Sequence, residues 1–475
     1  MKRIIISLFF AFSLFISFGF NANDINDINN VNKVNDINEE NQYYTILLDE
    51  NEDIDSFMQQ VKSINAELVY KIEEIGLFQL KAKYSEIQKL TKKITISTYN
   101  PSIKLFKTSN SLESSSGFIS KSSLWNIQWD MQKVTNRGES YKIFSGTKNV
   151  TVGIIDSGLD IDHPDLKNNV VSNSKNLVPR GGFRGEENYE TGDINRLNDI
   201  LGHGTNVAGQ IAANGLIKGV APNIGISIYR VFGGKSAESS WVIKAIVEAA
   251  KDDVDVINLS LGDYLVDGDI LFEDEKTHGN IAEIRAYKRA IEYARFKGSV
   301  VVTALGNDSL NLNDSTQMTD FLKERLERND AVFKGDILDV PGTLPGTISV
   351  ASIGPSDELS TFSNFGDGVI DIVSPGGDFR ILQNYGSERW LNEKLFLREM
   401  IVSTDPGGKY TFTSGNSLAA PKVSGALALI IDKYNLKNKP NESSEFLYKY
   451  GVRSDIFNPN IFGKGILDVY RIVNQ

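Results

Sequence analysis

The chain has 475 residues, 41% of them hydrophobic, which is enough apolar material for one large core and a small companion unit. With 61 acidic against 50 basic residues, its formal net charge of -11 disfavours nucleic acid phosphates and anionic membrane surfaces as partners and favours a basic one. The absence of cysteine excludes disulfides, thiolate metal sites and a cysteine nucleophile, and fits an exported protein stabilised by core packing alone.

Lys2 and Arg3 precede an apolar run over residues 4–20, and polar sequence begins at Asn21. This is the pattern of a signal peptide over residues 1–23, so the mature protein is expected outside the cell, in the manner of Gram-positive export, with no membrane span left. Residues 24–41, rich in Asn and Asp, lack the apolar periodicity needed to pack and are expected to be disordered. From Tyr43 the pattern predicts a strand over 43–50, a helix over 54–64, strands over 66–72 and 77–83, a helix over 84–94 and a last extended piece over 95–106. Residues 42–106 thus form a small βαββαβ unit. The Ser-rich stretch 107–123 reads as an exposed linker.

Beyond it, in residues 124–475, continuous apolar runs at 151–158, 226–233, 254–262, 298–307 and 347–354 are of the kind a parallel sheet buries on both faces. Helical spacing over 237–253 and 282–298 lies between them. The alternation predicts an α/β domain, an open parallel sheet flanked by helices. In such sheets functional groups gather at the carboxyl ends of the strands.

A general base working near neutral pH is most often histidine, and there are three: His163, His203 and His278. His278 lies in a charged stretch and reads as a surface residue; His163, beside Asp160 and Asp162, reads as a local hydrogen-bonding residue. His203 opens a helix between Gly202 and Gly204, which permit close approach of another chain. Ser417 also opens a helix, where free backbone N–H groups can hold an oxyanion. Asp156 ends a buried strand and needs a partner such as an imidazole. Asn307, at another strand end, carries an amide able to donate to the same oxyanion. Taken singly, each motif has a plainer reading, His203 as incidental to a helix start and Ser417 as a capping serine.

Together, Asp156 in D-S-G, His203 in G-H-G-T, Asn307 in G-N and Ser417 in G-N-S-L-A-A-P resemble the subtilisin-like serine proteases in residue type, chain order and setting. The resemblance covers the chain from about Trp125 onward, and the unit at 42–106 is similar to the family's ferredoxin-like inhibitory propeptide, which implies a maturation bond within the linker. It implies that Asp156 orients His203, that His203 takes the proton of Ser417, and that Asn307 and the Ser417 N–H hold the oxyanion. Three positions depart from the family pattern: Asn416 stands where threonine is usual and puts the rate in doubt, Leu418 replaces methionine at similar volume, and Asn206 replaces histidine in what reads as a surface-tolerant exchange.

The resemblance further implies that Ser260, Leu261 and Gly262 pair with the substrate backbone. Asp263 follows them, and Asp308 matches the residue lining the pocket for the side chain before the cut bond. Two acids there would favour Arg or Lys; solvated loop acids are the equal alternative. The strings WDMQKVTNRGESYKI, VPRGGFRGEEN, NLSLGDYL and GNSLAAPKVSGALALIIDKY look like the lantibiotic leader peptidases, a branch that removes leaders from modified antimicrobial precursors. The partners expected are therefore a precursor peptide and the chain's own propeptide, with the enzyme a monomer. A broad degradative protease and an inactive, peptide-binding subtilase, the latter suggested by Asn416, are the alternatives. No cofactor is needed for the chemistry. Many subtilisins hold calcium in the loop after the His helix, but the stretch 214–223 is short and poor in oxygen ligands, so that site is expected to be absent; one around Asp160, Asp162 and Asp165 stays open.

Overall fold

The computed structural model describes residues 40–106, 117–234, 236–273, 276–277, 279–454 and 458–475, without the side chains of 276, 277, 459 and 460. The expected signal peptide, the polar tract up to residue 39, the first ten linker residues and His278 lie outside them.

The N-terminal unit runs β1 (Gln42–Leu48), α1 (Ile54–Lys62), β2 (Ala66–Ile72), β3 (Leu77–Ala82), α2 (Tyr84–Thr91) and β4 (Ile96–Pro101). Its strands pair antiparallel in the order β2-β3-β1-β4, the ferredoxin-like arrangement. Strand periodicity sorts the side chains. Tyr44, Ile46 and Leu48 of β1 pack with Phe57 and Val61 of α1 and Ile87 and Leu90 of α2, whereas Leu47 and Leu77 join a core cluster of the main body. Asp53 starts α1 by accepting the Ser56 N–H. Both faces of this sheet are therefore buried, one against its own helices and one against the rest of the chain.

After β5 (Lys104–Phe106) the main body begins with β6 (Thr151–Asp156), β7 (Lys175–Asn176), α3 (His203–Ala212), β8 (Gly225–Arg230), β9 (Ser236–Glu238), α4 (Ser239–Lys251) and β10 (Val256–Leu259). It continues through β11 (Asp263–Leu271), β12 (Lys276–Thr277), α5 (Ile281–Phe296), β13 (Val300–Ala304), α6 (Ser315–Leu326), β14 (Val332–Val340), β15 (Thr347–Ile353) and β16 (Ile372–Pro375). The last elements needed here are β17 (Ile401–Asp405), β18 (Lys409–Thr413), α7 (Asn416–Tyr434), β19 (Val452–Arg453) and β20 (Ile466–Leu467).

Nine strands form the central sheet in the order β19-β20-β16-β15-β13-β10-β6-β8-β7, parallel except for β19. Because a parallel sheet is covered on both faces, its strands carry mostly apolar residues and do not alternate. One core cluster joins the sheet to α3 and α7, and a second joins it to α4, α5 and the N-terminal unit. Helix α7 is buried from Asn416 to Ile431, which its run of small and aliphatic residues allows.

The sequence reading assigned no elements to the stretches that become β11, β14 and α6. There β11 and β14 form a long antiparallel ribbon, Asp263 opposite Val340 at one end and Leu271 opposite Val332 at the other. Strands rich in Asp and Gly and paired across a long separation carry no local signal. Among the described residues no helix is long and apolar enough to cross a membrane.

Candidate active site

Strand β6 ends at Asp156, which is buried. Its Oδ1 accepts the Ser157 N–H at 2.7 Å, and His203 Nδ1 lies 2.8 and 2.9 Å from its two oxygens. A carboxylate only accepts, so Nδ1 donates and Nε2 is left as the basic nitrogen. Asp199, which sequence reasoning passed over, fixes the start of α3: its Oδ1 accepts from Gly202 N and Ser157 Oγ, and its Oδ2 from Thr205 N and Oγ1. The available signal was an acid just ahead of a helix start. A Cβ at Gly204 would meet Gly158 O at 2.1 Å and Asp156 Cβ at 3.2 Å, so glycine is what lets the His helix reach the Asp strand. The helix is also sewn to β17: Thr404 Oγ1 donates to Thr205 O, Ser403 Oγ to Asn206 O, and Asn206 Nδ2 to Thr404 O at 2.6 Å. Asn206 is thus buried and structural, not the surface exchange that the sequence suggested.

Ser417 is the second residue of α7. Pro421 has no N–H to give the Ser417 carbonyl, and Ser260 Oγ supplies that bond at 3.0 Å. Asn307 Oδ1 accepts the Asn416 N–H at 2.8 Å, which leaves its Nδ2 facing the serine. An ideal Cβ on Gly415 would lie 3.0 Å from Ser417 Oγ, 3.6 Å from Asn307 Nδ2 and 3.7 Å from Ser417 N. The hydroxyl and two N–H donors therefore lie near one another beside Gly415, where donors could serve an oxyanion formed at Ser417. Asn416, the departure beside the nucleophile, is fully buried: its Oδ1 accepts from Ser352 N (2.6 Å) and Ser363 Oγ (3.0 Å), and its Nδ2 donates to Gly306 O (2.7 Å). It holds in place the strand end that carries Asn307. Leu418 is buried.

His163 is buried; its Nε2 donates to Lys409 O at 2.9 Å and its Nδ1 accepts the Asp165 N–H at 3.1 Å, which makes it a structural strut.

A cleft is lined by Ser260, Leu261 and Gly262, by Ala304–Asn307 and by Ser417. Ser260–Gly262 belong to no strand ladder among the described residues, so their backbone is free to pair. Strand β9 pairs antiparallel with β5 of the chain itself. Asp263, Asp308 and Asp339 also line the cleft. Asp263 is not the free pocket acid the sequence allowed: Arg325 of α6 meets it at 2.7 Å. Asp308 accepts from Tyr264 OH at 2.6 Å, so it is neither free nor a solvated loop acid. Asp339, at the end of β14, is buried, accepts from Gly306 N (2.7 Å) and Asn364 Nδ2 (3.1 Å), and has no cationic partner among the described residues. Burial pushes its carboxyl up to about 6. Burial likewise raises Asp263, with the Arg325 guanidinium opposing it. Sequence reasoning missed Asp339, whose only signal was an acid inside the apolar run ILDVP.

The loop that holds calcium in many subtilisins does not fit a cation here. Asn214 Oδ1 accepts from the Lys218 ammonium, and Asn223 Oδ1 from Asn214 Nδ2. Of the other aspartates considered, Asp160 Oδ2 accepts the N–H groups of Gly407 and Gly408, and Asp165 Oδ2 accepts Ile217 N.

Residues 147–454, which include the starts of α3 and α7, match the family model described as the Subtilase family. The chain belongs to that family and is a serine peptidase. It is 39% identical over 446 residues to the epidermin leader peptide-processing serine protease of Staphylococcus epidermidis, covering 92% of this chain and 94% of that protein. To the nisin leader peptide-processing serine protease of Lactococcus lactis it is 42% identical over 371 residues, 78% of this chain and 52% of that longer protein. The crystal structure of the epidermin leader peptide processing serine protease from Staphylococcus aureus superposes with a TM-score of 0.81 at 39% identity, over 92% of this chain and 98% of that one. That of the nisin leader peptidase from Lactococcus lactis gives 0.68 at 43% identity, over 74% and 94%.

Proposed function

We propose that this peptidase is exported and removes the leader from a lantibiotic precursor by cutting after a basic residue. The relatives named for that reaction supply the substrate class; the buried, cation-free carboxylate of Asp339 in the lining of the cleft is the observation that carries the basic specificity. A guanidinium or ammonium entering the pocket gives that charge the partner it lacks, while an apolar side chain leaves it buried and alone.

Ser417 Oγ attacks the scissile carbonyl as His203 Nε2 takes its proton, with Asp156 balancing the imidazolium. Asn307 Nδ2 and the Ser417 N–H stabilise the oxyanion. Collapse passes the proton from His203 to the leaving amine, and water then releases the acyl group by the same route in reverse. The unit at 42–106 acts as a propeptide. The pairing of β5 with β9 and the burial of Leu105 in a main-body cluster support the reading that this unit covers the cleft until a bond in 107–123 is cut.

The test is to incubate the chain with a modified precursor carrying Arg at the last leader position and with the same precursor carrying Gln there, and to read the products by mass spectrometry. A single cut after Arg, with little cleavage of the Gln form, is expected. General hydrolysis of casein would replace the leader-specific reading with a degradative one, and failure of a fluorophosphonate to label Ser417 would remove the peptidase reading altogether.

A further inference from the structure

Lys422 lies little more than one turn beyond Ser417 on α7 and is completely buried. A buried ammonium survives only if its charge is balanced and its three N–H groups are taken up. Two of them find acceptors, Gln210 Oε1 of α3 at 2.7 Å and Leu418 O in the first turn of α7 at 3.1 Å, and the charge is balanced by an ion pair with Asp130, whose Oδ2 lies 2.9 Å away. Gln210 is itself fixed from its other end, its Nε2 donating to Ser403 Oγ (2.8 Å) and Val402 O (3.2 Å) of β17. Asp130 comes from the short helix Trp129–Val134, which follows the linker and is fastened by Trp129 Nε1 to Met400 O at 3.0 Å. Neither of its carboxylate oxygens has a hydrogen-bond partner, so the ion pair with Lys422 is its one polar contact among the described residues.

We propose that Lys422 is a positioning residue for the peptidase chemistry: its ammonium ties the Ser417 helix to the His203 helix, and Asp130 makes that tie depend on the seating of residues 129–134. An aliphatic residue would fill the same volume without linking the helices, and a hydrogen bond to the carbonyl of Leu418 acts on the very turn that presents Ser417. A displacement of about 1 Å between nucleophile and base lowers the rate by about 10²-fold. Substrate contacts lie elsewhere, at Ser260–Gly262 and Asp339, and are left intact.

The test uses the full chain, with rates on a chromogenic peptide amide expressed per serine titrated by a fluorophosphonate. In Lys422→Met, kcat is expected to fall at least tenfold with KM changed less than twofold, and melting to be lowered because Asp130 is left unpaired. In Asp130→Asn/Lys422→Met, which removes both charges, melting is expected to return toward that of the parent while kcat stays low. Gln210→Met, which cuts the tie from the other helix without leaving a charge, is expected to lower kcat in the same way near parental melting. Recovery of kcat together with melting in the double variant overturns the proposal, since the pair is then structural only. So does a parental kcat in Gln210→Met, a result that can be read even if Lys422→Met fails to fold.

Discussion

Two clusters of carboxylates, one around His203 and one in the lining of the cleft, are built differently. Around His203, Asp156 and Asp199 are saturated by short local donors, so their charge is stabilised whether or not a substrate is present. In the lining of the cleft, Asp263 is balanced by Arg325 and Asp308 is tied to Tyr264, but Asp339 faces burial with two neutral donors and, among the described residues, no cation. The carboxylates beside His203 have their partners in the free protein, whereas Asp339 stands without a countercharge among the described residues. The same contrast recurs at the N-terminal unit, where Glu283 of α5 is buried against Asn100 and is pushed up to about 7, chiefly by burial and with Glu238 adding to it.

Substitution on the catalytic side has the largest expected effect. Ser417→Ala lowers turnover by the several powers of ten such a loss has in subtilisins, with the melting temperature little changed. Asn307→Leu removes one oxyanion donor and costs about 10² to 10³ in kcat, again the size found in that family. A smaller loss would mean that Asn307 Nδ2 does not face the developing charge.

On the recognition side, Asp339→Asn is expected to raise KM for a peptide with Arg before the cut bond by about tenfold or more, worth roughly 1.4 kcal/mol per factor of ten, and to leave a neutral analogue unaffected. The pH dependence follows. With the pocket empty, the carboxyl loses its proton as pH rises through about 6, and the ionised form is what a cation binds, so KM for the basic substrate falls through that range and levels off above it. Stability runs the opposite way: a carboxyl raised on folding contributes stability fully present below its ordinary value and lost as pH rises through about 6. Asp339→Asn should therefore melt higher than the parent at pH 8 while recognising the basic substrate less well. If it melts lower, the charge is not the strained element described here.

The smallest effect is expected at Glu283. By the same sign, its contribution to docking the N-terminal unit is fully present below the ordinary glutamate range and lost as pH rises through about 7. Limited proteolysis of residues 40–106 should become easier between pH 6 and 8, and Glu283→Gln should remove that difference.

Local chemistry made much of this molecule readable from its sequence. The apolar runs of β6, β8, β10, β13 and β15 announced a parallel sheet because burial on both faces leaves no room for alternation. Asp156, His203, Asn307 and Ser417 were recognisable because each is held by its immediate neighbours, a glycine, a strand end or a helix start. Where a side chain's meaning depends on a partner far along the chain, the sequence was silent or misleading. Asn206 looked like a surface residue, yet it bonds to Thr404 across 198 positions. Asn416 looked like a defect, yet its amide is occupied by Ser352, Ser363 and Gly306. Asp263 and Asp339 are both acids in apolar surroundings, and only the return of the chain through α6 and β14 determines that one meets Arg325 and the other meets no cation. Residue type and local pattern specified the reaction, because they set which groups can exchange a proton or hold an oxyanion. Long-range packing decided which acid in the cleft stands without a countercharge, because a buried charge takes its character from whatever the fold brings beside it.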